Sequence, residues 1–356
     1  MKTTCSRREF LAGASALCLT AGMARAMPRA PRLISAAHVG TRDGGAVWSD
    51  GHLTPFDLPV RGHAPVRLPD GRVAMMGRRP GLFATIVDPR DPSAPAQTFA
   101  PSGNSRFAGH ACVSPDGSML VTSEFDAATF AGALVSRDPK TGAERVRWPL
   151  GGLEPHEIVF ARDGSRMVVA LGGLIKDGGV AGPAFNPDGV DSAVLEIDPS
   201  SGRELARRKL AQASLSLRHL ATDGKTTIVA AQDQDISLTR PLLARVGPAL
   251  EPLAWPDPHE CDFRSYVGSI AIDRSGAFIA AASPRGGVLG LWSAPDGRWL
   301  GGLAIADVCG VTAGADGFWA SSGLGQIVKI AASASGPVVE ARWHADAGFD
   351  NHLLMT

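Results

Sequence analysis

Several residue types are scarce in this 356-residue chain, and their scarcity excludes some classes of protein. It has five cysteines, and only Cys112, Cys261 and Cys309 follow residue 26. An odd number of cysteines without a C-x-x-C pair does not make a disulfide scaffold. Basic and acidic side chains are balanced at 35 each, with no polybasic tract. Nucleic acids and anionic membranes are therefore poor candidates for partners.

Common catalytic and membrane motifs are also missing. The chain has no nucleophile elbow, no Walker loop and no dinucleotide-binding glycine pattern. After residue 26 it has no apolar run long enough to span a bilayer, so we expect no membrane span in the exported protein. We expect a monomer.

The first 26 residues have the pattern of an export signal. A twin-arginine motif, Ser6-Arg7-Arg8-Glu9-Phe10-Leu11, precedes a short apolar run that ends at Met23. Ala24-Arg25-Ala26 then matches a cleavage site. We therefore expect export to the periplasm by the twin-arginine pathway, with a single mature domain over residues 27–356.

Glycine and proline are abundant, with 42 and 26 residues, which is typical of many tight turns. One sequence pattern recurs: a residue that we call the marker, a short strand with β-branched residues, and a turn such as Pro115-Asp116-Gly117. Its markers are His63, His110, His156, His219, Gly268, Cys309 and His352. Strand repeats at intervals of roughly 40 to 60 residues are typical of β-propeller blades. The sequence predicts an all-β, seven-bladed β-propeller.

The two ends of the chain complete one blade in this prediction. The seventh inner strand, around His352, needs three more strands, and segments 33–38, 46–48 and 53–58 supply them. The last blade is therefore closed by strands from both termini, which removes a free sheet edge. A glycine-rich insertion, Gly172–Asp191, is expected between the second and third strands of the third blade.

Five of the nine histidines occupy equivalent marker positions, and a propeller brings such positions to one ring around the central channel. The predicted metal ligands are His63, His110, His156, His219, Cys309 and His352. Imidazole and thiolate ligands suit iron, copper or zinc. The nearby carboxylates Glu154, Glu157, Asp307 and Asp350 could fix the imidazole tautomers. A structural ring, copied by duplication and bonded to backbone and water, stays an alternative.

A second group of residues could contact a ligand at the mouth of the channel. Arginine side chains there can bind carboxylates or phosphates through paired hydrogen bonds. Arg78 and Arg285 occupy equivalent places in two blades, as does Glu124, and Tyr266 precedes the Gly268 marker. The candidate ligand contacts are Arg78, Glu124, Glu157, Arg218, Tyr266, Arg285 and Asn351.

Phrases along the whole mature chain resemble an uncharacterised family of bacterial periplasmic proteins, a domain of unknown function with a twin-arginine signal and a seven-bladed propeller. The matching phrases are Arg61-Gly62-His63, Arg78-Arg79-Pro80-Gly81, Phe107-Ala108-Gly109-His110, Pro155-His156-Glu157, Arg218-His219-Leu220-Ala221, Tyr266-Val267-Gly268-Ser269, Ser283-Pro284-Arg285-Gly286, Asp307-Val308-Cys309-Gly310-Val311 and Asn351-His352-Leu353. Genes of such proteins often lie near imelysin-type iron-uptake proteins and haem oxidoreductases. The resemblance therefore implies a role in periplasmic iron or metal handling.

Three functions follow from these observations. The first is a non-enzymatic propeller that binds a metal, or a ligand carrying one, at the histidine ring. The second is a non-catalytic scaffold for periplasmic iron-uptake or haem proteins. The third is a propeller enzyme, lactonase-like or quinoprotein-like, although a lactonase needs carboxylate and amide ligands for a hard cation. We favour the first and assign no catalytic residue.

Overall fold

The computed structural model describes residues 31–174 and 189–356. The predicted export signal and most of the Gly172–Asp191 insertion lie outside these residues. The described part contains strands and no helix, and accordingly no helix that could cross a membrane.

Seven antiparallel sheets form the blades of a propeller, as predicted. The chain begins with β1 (Leu33–Val39), β2 (Arg42–Ser49) and β3 (His52–Asp57). Blade 1 contains β4 (Gly62–Arg67), β5 (Val73–Gly77), β6 (Ala84–Val87) and β7 (Gln97–Phe99). Blade 2 contains β8 (Ser105–Val113), β9 (Leu120–Asp126), β10 (Ala131–Arg137) and β11 (Glu144–Leu153). Blade 3 contains β12 (Pro155–Phe160), β13 (Met167–Leu171), β14 (Ala193–Ile197) and β15 (Glu204–Arg208).

The remaining blades repeat this order. Blade 4 contains β16 (Leu215–Thr222), β17 (Thr227–Asp233), β18 (Leu243–Val246) and β19 (Leu250–Pro252). Blade 5 contains β20 (Ser269–Ile272), β21 (Phe278–Ser283), β22 (Val288–Ser293) and β23 (Trp299–Ala304). Blade 6 contains β24 (Val308–Ala313), β25 (Phe318–Ser322), β26 (Gln326–Ser333) and β27 (Gly336–His344). The chain finishes with β28 (Gly348–Phe349) and β29 (Leu354–Met355).

Strands from both termini close the ring. β1 pairs with β28 through Ala37 and Phe349, and with β29 through Leu33 and Met355. The seventh blade is therefore a sheet of β28, β29, β1, β2 and β3, which confirms the predicted closure.

The core lies between neighbouring blades, because each sheet packs its faces against the sheets beside it. Middle strands are covered on both faces: Ala280, Ala281 and Ala282 in β21 are fully buried. At the junction of blades 6 and 7, the Trp48 ring lies 5.7 Å from Trp319 and 5.2 Å from Trp343. Small and aromatic residues thus fill the space between neighbouring blades, and the inner strands surround the central channel.

Candidate metal centre in the central channel

Each inner strand that carries a polar marker in blades 1–4 and 6 has an irregular pairing at that marker. The register breaks lie between Gly62 and Pro65, Phe107 and Ala111, Pro155 and Ile158, Leu217 and His219, and Val308 and Val311. A β-bulge leaves residues unpaired and redirects their side chains. The bulges therefore allow the marker side chains to leave the blade face and point into the channel.

The five marker histidines come together in one buried cluster, which we call the histidine cluster: His63, His110, His156, His219 and His352. No member is more than 8% exposed. The His110 ring lies at the middle, with its centroid 5.0 Å from His63, 4.4 Å from His156, 5.6 Å from His219 and 4.7 Å from His352. His110 and His219 lie well inside β8 and β16, whereas His63 and His156 are the second residues of β4 and β12 and His352 lies between β28 and β29.

Two groups of three histidines within the described residues have the spacing of a metal site. One contains His63, His110 and His156, and the other contains His110, His219 and His352. In each group the ligand nitrogens lie within 4.8 Å of one another. His110 belongs to both groups, so a single imidazole connects the two potential coordination sets.

Two carboxylates orient imidazoles of the cluster. His63 Nδ1 lies 3.1 Å from Asp350 Oδ1, and His219 Nδ1 lies 3.2 Å from Glu157 Oε2. When a neutral ring donates through Nδ1–H to a carboxylate, its Nε2 keeps a lone pair for a metal. Three further nitrogens are buried without a hydrogen-bond partner in the described structure: His110 Nε2, His156 Nδ1 and His352 Nε2.

Burial keeps the five imidazoles neutral. It lowers the pKa of His110, His156, His219 and His352 well below the usual 6.5, and the proximity of the other imidazoles, with Arg79 or Arg218 beside the first three, lowers it further. The pKa of His63 is also lowered by burial, although the Asp350 carboxylate opposes the shift. Neutral imidazoles do not repel one another as cations would, and neutral imidazole is the form that binds metals.

Asp350 joins the histidine cluster to the arginines above it. Its Oδ2 accepts hydrogen bonds from Arg61 Nε and Arg78 Nη1, both at 2.9 Å. Burial alone would raise the pKa of Asp350, but His63 and the two guanidinium groups outweigh it and hold that pKa well below its usual value. Glu154, just before β12 of blade 3, is the counter-ion of two further arginines, Arg79 and Arg218.

Two cavities meet at the histidine cluster. The first, of about 680 Å³, is lined by His63, His156 and His219 together with the arginines of the mouth. The second, of about 360 Å³, is lined by His110, His352 and Glu157 and by residues from all seven inner strands. Its wall is mainly alanine, valine, leucine and isoleucine. The cluster therefore separates a charged mouth from a second cavity whose lining side chains are mainly aliphatic.

Most of the ligand contacts expected at the mouth line the first cavity: Arg78, Arg218, Tyr266, Arg285 and Asn351. Glu157 lies at the second cavity, where burial raises its pKa. Glu124 lies elsewhere: it is buried inside blade 2, where it accepts hydrogen bonds from Arg137 and Arg147. That placement gives Glu124 the role of a counter-ion within the blade.

Cys309 does not belong to either histidine group. Its thiol donates to the backbone oxygen of Asp307, at 3.2 Å, and burial raises the thiol pKa. The thiol thus makes its hydrogen bond within its own blade and not to an imidazole of the cluster. Blade 6 thus contributes no imidazole to the cluster, and blade 5 has Gly268 at its marker position.

The candidate ligand contacts did not include Arg61 and Arg79, which line the same cavity as Arg78, Arg218 and Arg285. For Arg61 a signal was present, because the position two residues before the marker is charged or aromatic in five of the seven repeats: Arg61, Glu154, Tyr266, Asp307 and Asp350. Four of these five residues contact a charged or aromatic partner at the mouth. Aligning that position across the repeats would have grouped them.

These features define a seven-bladed propeller whose channel contains buried, neutral imidazoles below a ring of arginines. The chain belongs to the family described as a protein of unknown function, DUF1513, whose model matches residues 56–356. The match spans all five histidines of the cluster, and it agrees with the uncharacterised family predicted from the sequence. No curated protein is similar enough to this chain to indicate relatedness.

Solved structures share the fold at low sequence identity. A chain in the structure of hydrazine synthase from Kuenenia stuttgartiensis has a TM-score of 0.58 and 14% identity, over 78% of this chain and 86% of that chain. The β-propeller domain of Cps50 (Swd1) from Myceliophteria thermophila gives 0.54 and 13%, over 83% and 96%. A chain of the mitotic checkpoint complex gives 0.52 and 12%, over 79% of each. These likenesses support the propeller fold alone.

Proposed function

We propose that this protein is an exported propeller that binds a transition metal at the histidine cluster and serves metal handling in the periplasm. The observation that carries the proposal is the set of three buried, unpartnered imidazole nitrogens beside two rings oriented by carboxylates. Leaving buried polar atoms without partners costs about 1–3 kcal/mol each, and a bound metal removes that cost. The export motif supports the periplasmic location, and the family's gene neighbourhood supports iron as the metal.

The donor set narrows the class of metal. Nitrogen-only ligation by imidazole suits iron, copper and zinc and disfavours calcium and magnesium. In a tetrahedral site with bonds of about 2.0–2.1 Å, neighbouring ligand atoms are about 3.4 Å apart. The nitrogens here lie within 4.8 Å, so small rotations of the rings suffice to close the site.

Metal analysis of protein purified after native export tests the proposal. We expect the protein to contain iron, copper or zinc, or to bind one of them more tightly than micromolar after treatment with a chelator. Replacing His110 with Leu should weaken binding by more than about 100-fold, because both groups of three lose a ligand.

The matched control is His259→Leu, since His259 is an exposed histidine in a loop. Circular dichroism must show that both variants are folded. A wild-type protein that binds none of the three metals more tightly than micromolar, or a folded H110L variant that binds them as well as wild type, would overturn the proposal.

A further inference from the structure

The mouth of the channel carries more positive charge than its own carboxylates neutralise. We call the residues Arg61, Arg78, Arg79, Arg218 and Arg285 the arginine mouth; all five line the cavity of about 680 Å³. Asp350 neutralises Arg61 and Arg78, whereas Glu154 is shared by Arg79 and Arg218. A third carboxylate, Asp43, lies at the rim and pairs with His38. With neutral imidazoles below, five guanidinium groups face three carboxylates.

Arg218 has donors that the protein itself does not use. Its side chain is 2% exposed and lines the cavity, and one nitrogen, Nη1, bonds to Glu154 at 2.6 Å. Its Nε and Nη2 are buried without a hydrogen-bond partner in the described structure. These two nitrogens are adjacent on one edge of the guanidinium plane, which is the arrangement that binds a carboxylate or phosphate through two parallel hydrogen bonds.

Arg285 provides a second cation at the same cavity. Its guanidinium lies over the Tyr266 ring, 4.4 Å from the centroid, and this contact holds it in place without neutralising it. The Tyr266 hydroxyl accepts a hydrogen bond from Asn351 Nδ2 at 2.8 Å and still carries its own hydrogen to donate. Pro80 and Pro284 add apolar wall to the same cavity.

We propose that the arginine mouth is a binding site for a small organic anion, with an oxyanion group held by Arg218 and a second acidic group near Arg285 and Tyr266. The volume favours an organic ligand, because about 680 Å³ is in the range of small-molecule sites. Carboxylates and phosphates both present the paired, negatively charged oxygen atoms that a guanidinium edge binds. His63, His156 and His219 line the same cavity, but the anion contacts proposed here are guanidinium and hydroxyl donors, so they do not depend on a bound metal.

Calorimetric titration of the full mature protein, as purified and after metal removal, tests this site. The probes are succinate, inorganic phosphate and succinamide, the neutral diamide of the first probe. We expect succinate or phosphate to bind and succinamide to bind at least about tenfold more weakly, since a charged hydrogen bond is lost with the charge. Tighter binding of succinate than of phosphate identifies a carboxylate ligand, and the reverse order identifies a phosphate ligand.

Two variants assign the binding to the mouth. Arg285→Gln should weaken anion binding by about tenfold without affecting the fold, because Arg285 is exposed. Arg218→Lys keeps the charge toward Glu154 and removes the paired donors, and it should weaken binding by at least as much. The control is Arg274→Gln, an exposed arginine in the turn that follows β20 of the same blade as Arg285.

The outcomes separate this inference from the metal proposal. If neither anion binds better than succinamide, or if R285Q and folded R218K bind like R274Q, the anion site is wrong whether or not the protein holds a metal. If anions bind as expected to a protein that fails to bind iron, copper or zinc in the metal titration, the anion site stands and the metal centre does not.

Discussion

His110 is the residue on which the metal centre depends most. It is 1% exposed, it lies within 6 Å of four other imidazoles, and it belongs to both groups of three. Its Nε2 has no partner in the described structure. A histidine with a purely structural role would use both nitrogens for hydrogen bonds, as buried polar atoms normally do. His110 therefore has the surroundings of a ligand.

Asp350 supports the cluster by orienting His63 and anchoring two arginines. Replacing Asp350 with Asn keeps the shape but removes the negative charge. We expect metal affinity to fall by about 10- to 100-fold, as for other carboxylate partners of a metal-binding histidine. Stability should fall by about 1–2 kcal/mol, because Arg61 and Arg78 lose their counter-ion but are themselves partly exposed to solvent.

Metal titration and urea unfolding measure the two effects. Asp296→Asn is the control, since Asp296 is exposed and its nearest ion pair, with Arg298, is 3.9 Å long. Unchanged metal affinity in D350N would remove Asp350 from the metal centre, even if the protein were less stable.

At the scale of the element, the β8 strand shows how the backbone places an imidazole. Gly109 has a φ of +99°, a conformation that side chains disfavour, and it lies in the register break before Ala111. A Cβ at this position would lie 2.7 Å from Cδ2 of His63. The glycine therefore permits both the bulge and the close approach of blades 1 and 2.

Replacing Gly109 with Ala should cost about 1–3 kcal/mol of stability through backbone strain, and should also displace His63 and weaken metal binding. The matched control is Gly103→Ala, in the loop just before the same strand. Gly103 also has a positive φ, +59°, but a Cβ there meets nothing within 4 Å. Urea unfolding of both variants measures the cost of backbone strain, which both substitutions introduce. Metal titration measures the effect of displacing His63, which only G109A should cause. Equal metal affinity in G109A and G103A would contradict the proposed role of the bulge.

The strand repeats were predictable from the sequence because turns and markers recur at similar spacing. The observed sheets confirm the predicted blade count and the closure by both termini. The bulges were not predictable, since an extra residue in one strand leaves no distinctive residue type. Cys309 shows what a repeat position does not predict. It occupies a marker position, yet its thiol donates a hydrogen bond to the backbone oxygen of Asp307. Equivalent position in a repeat predicts the neighbourhood of a side chain and not its direction.

At the scale of the whole molecule, five consecutive blades supply the cluster: blade 7 with His352, then blades 1 to 4. Blade 5 has Gly268 instead, and a Cβ there would lie 2.8 Å from the Tyr266 ring and 3.1 Å from Asn351 Nδ2. The missing side chain thus makes room for the Tyr266–Asn351 pair. Rotational repetition builds the imidazole cluster, and its interruption in blade 5 builds part of the anion site.

The buried imidazoles also make the stability of the metal-free protein depend on pH. In the unfolded chain the histidines titrate near 6.5, whereas in the folded protein burial lowers the pKa of all five. Below about pH 6.5 the unfolded chain therefore binds protons that the folded protein does not. Stability should be constant with respect to these residues above about pH 7.5 and should decrease as the pH falls through 6.5.

Other charged groups also face the cluster. They gain or lose protons at a different pH, or their protonation changes the stability in the opposite direction. Asp350 has a lowered pKa, so its contribution is lost only below its ordinary unfolded value of 3.8. Burial raises the pKa of Glu157, so its protonation favours the folded state and opposes the histidines as the pH falls from that raised value to the ordinary 4.5. Burial lowers the pKa of Arg218 only to about 10, which is far above this window. The loss of stability expected below pH 6.5 therefore comes from the histidines.

Urea unfolding of the chelator-treated protein at pH 7.5, 6.5 and 5.5 measures this dependence. Each histidine that stays neutral contributes a slope of up to about 1.4 kcal/mol per pH unit below 6.5. His110→Leu should reduce the slope by about that amount, because it removes one buried neutral imidazole. A wild-type stability that is flat from pH 7.5 to 5.5 would mean that the imidazoles are protonated in the folded state. Five cations could not share so small a space without counter-ions, so that result would contradict the buried cluster itself.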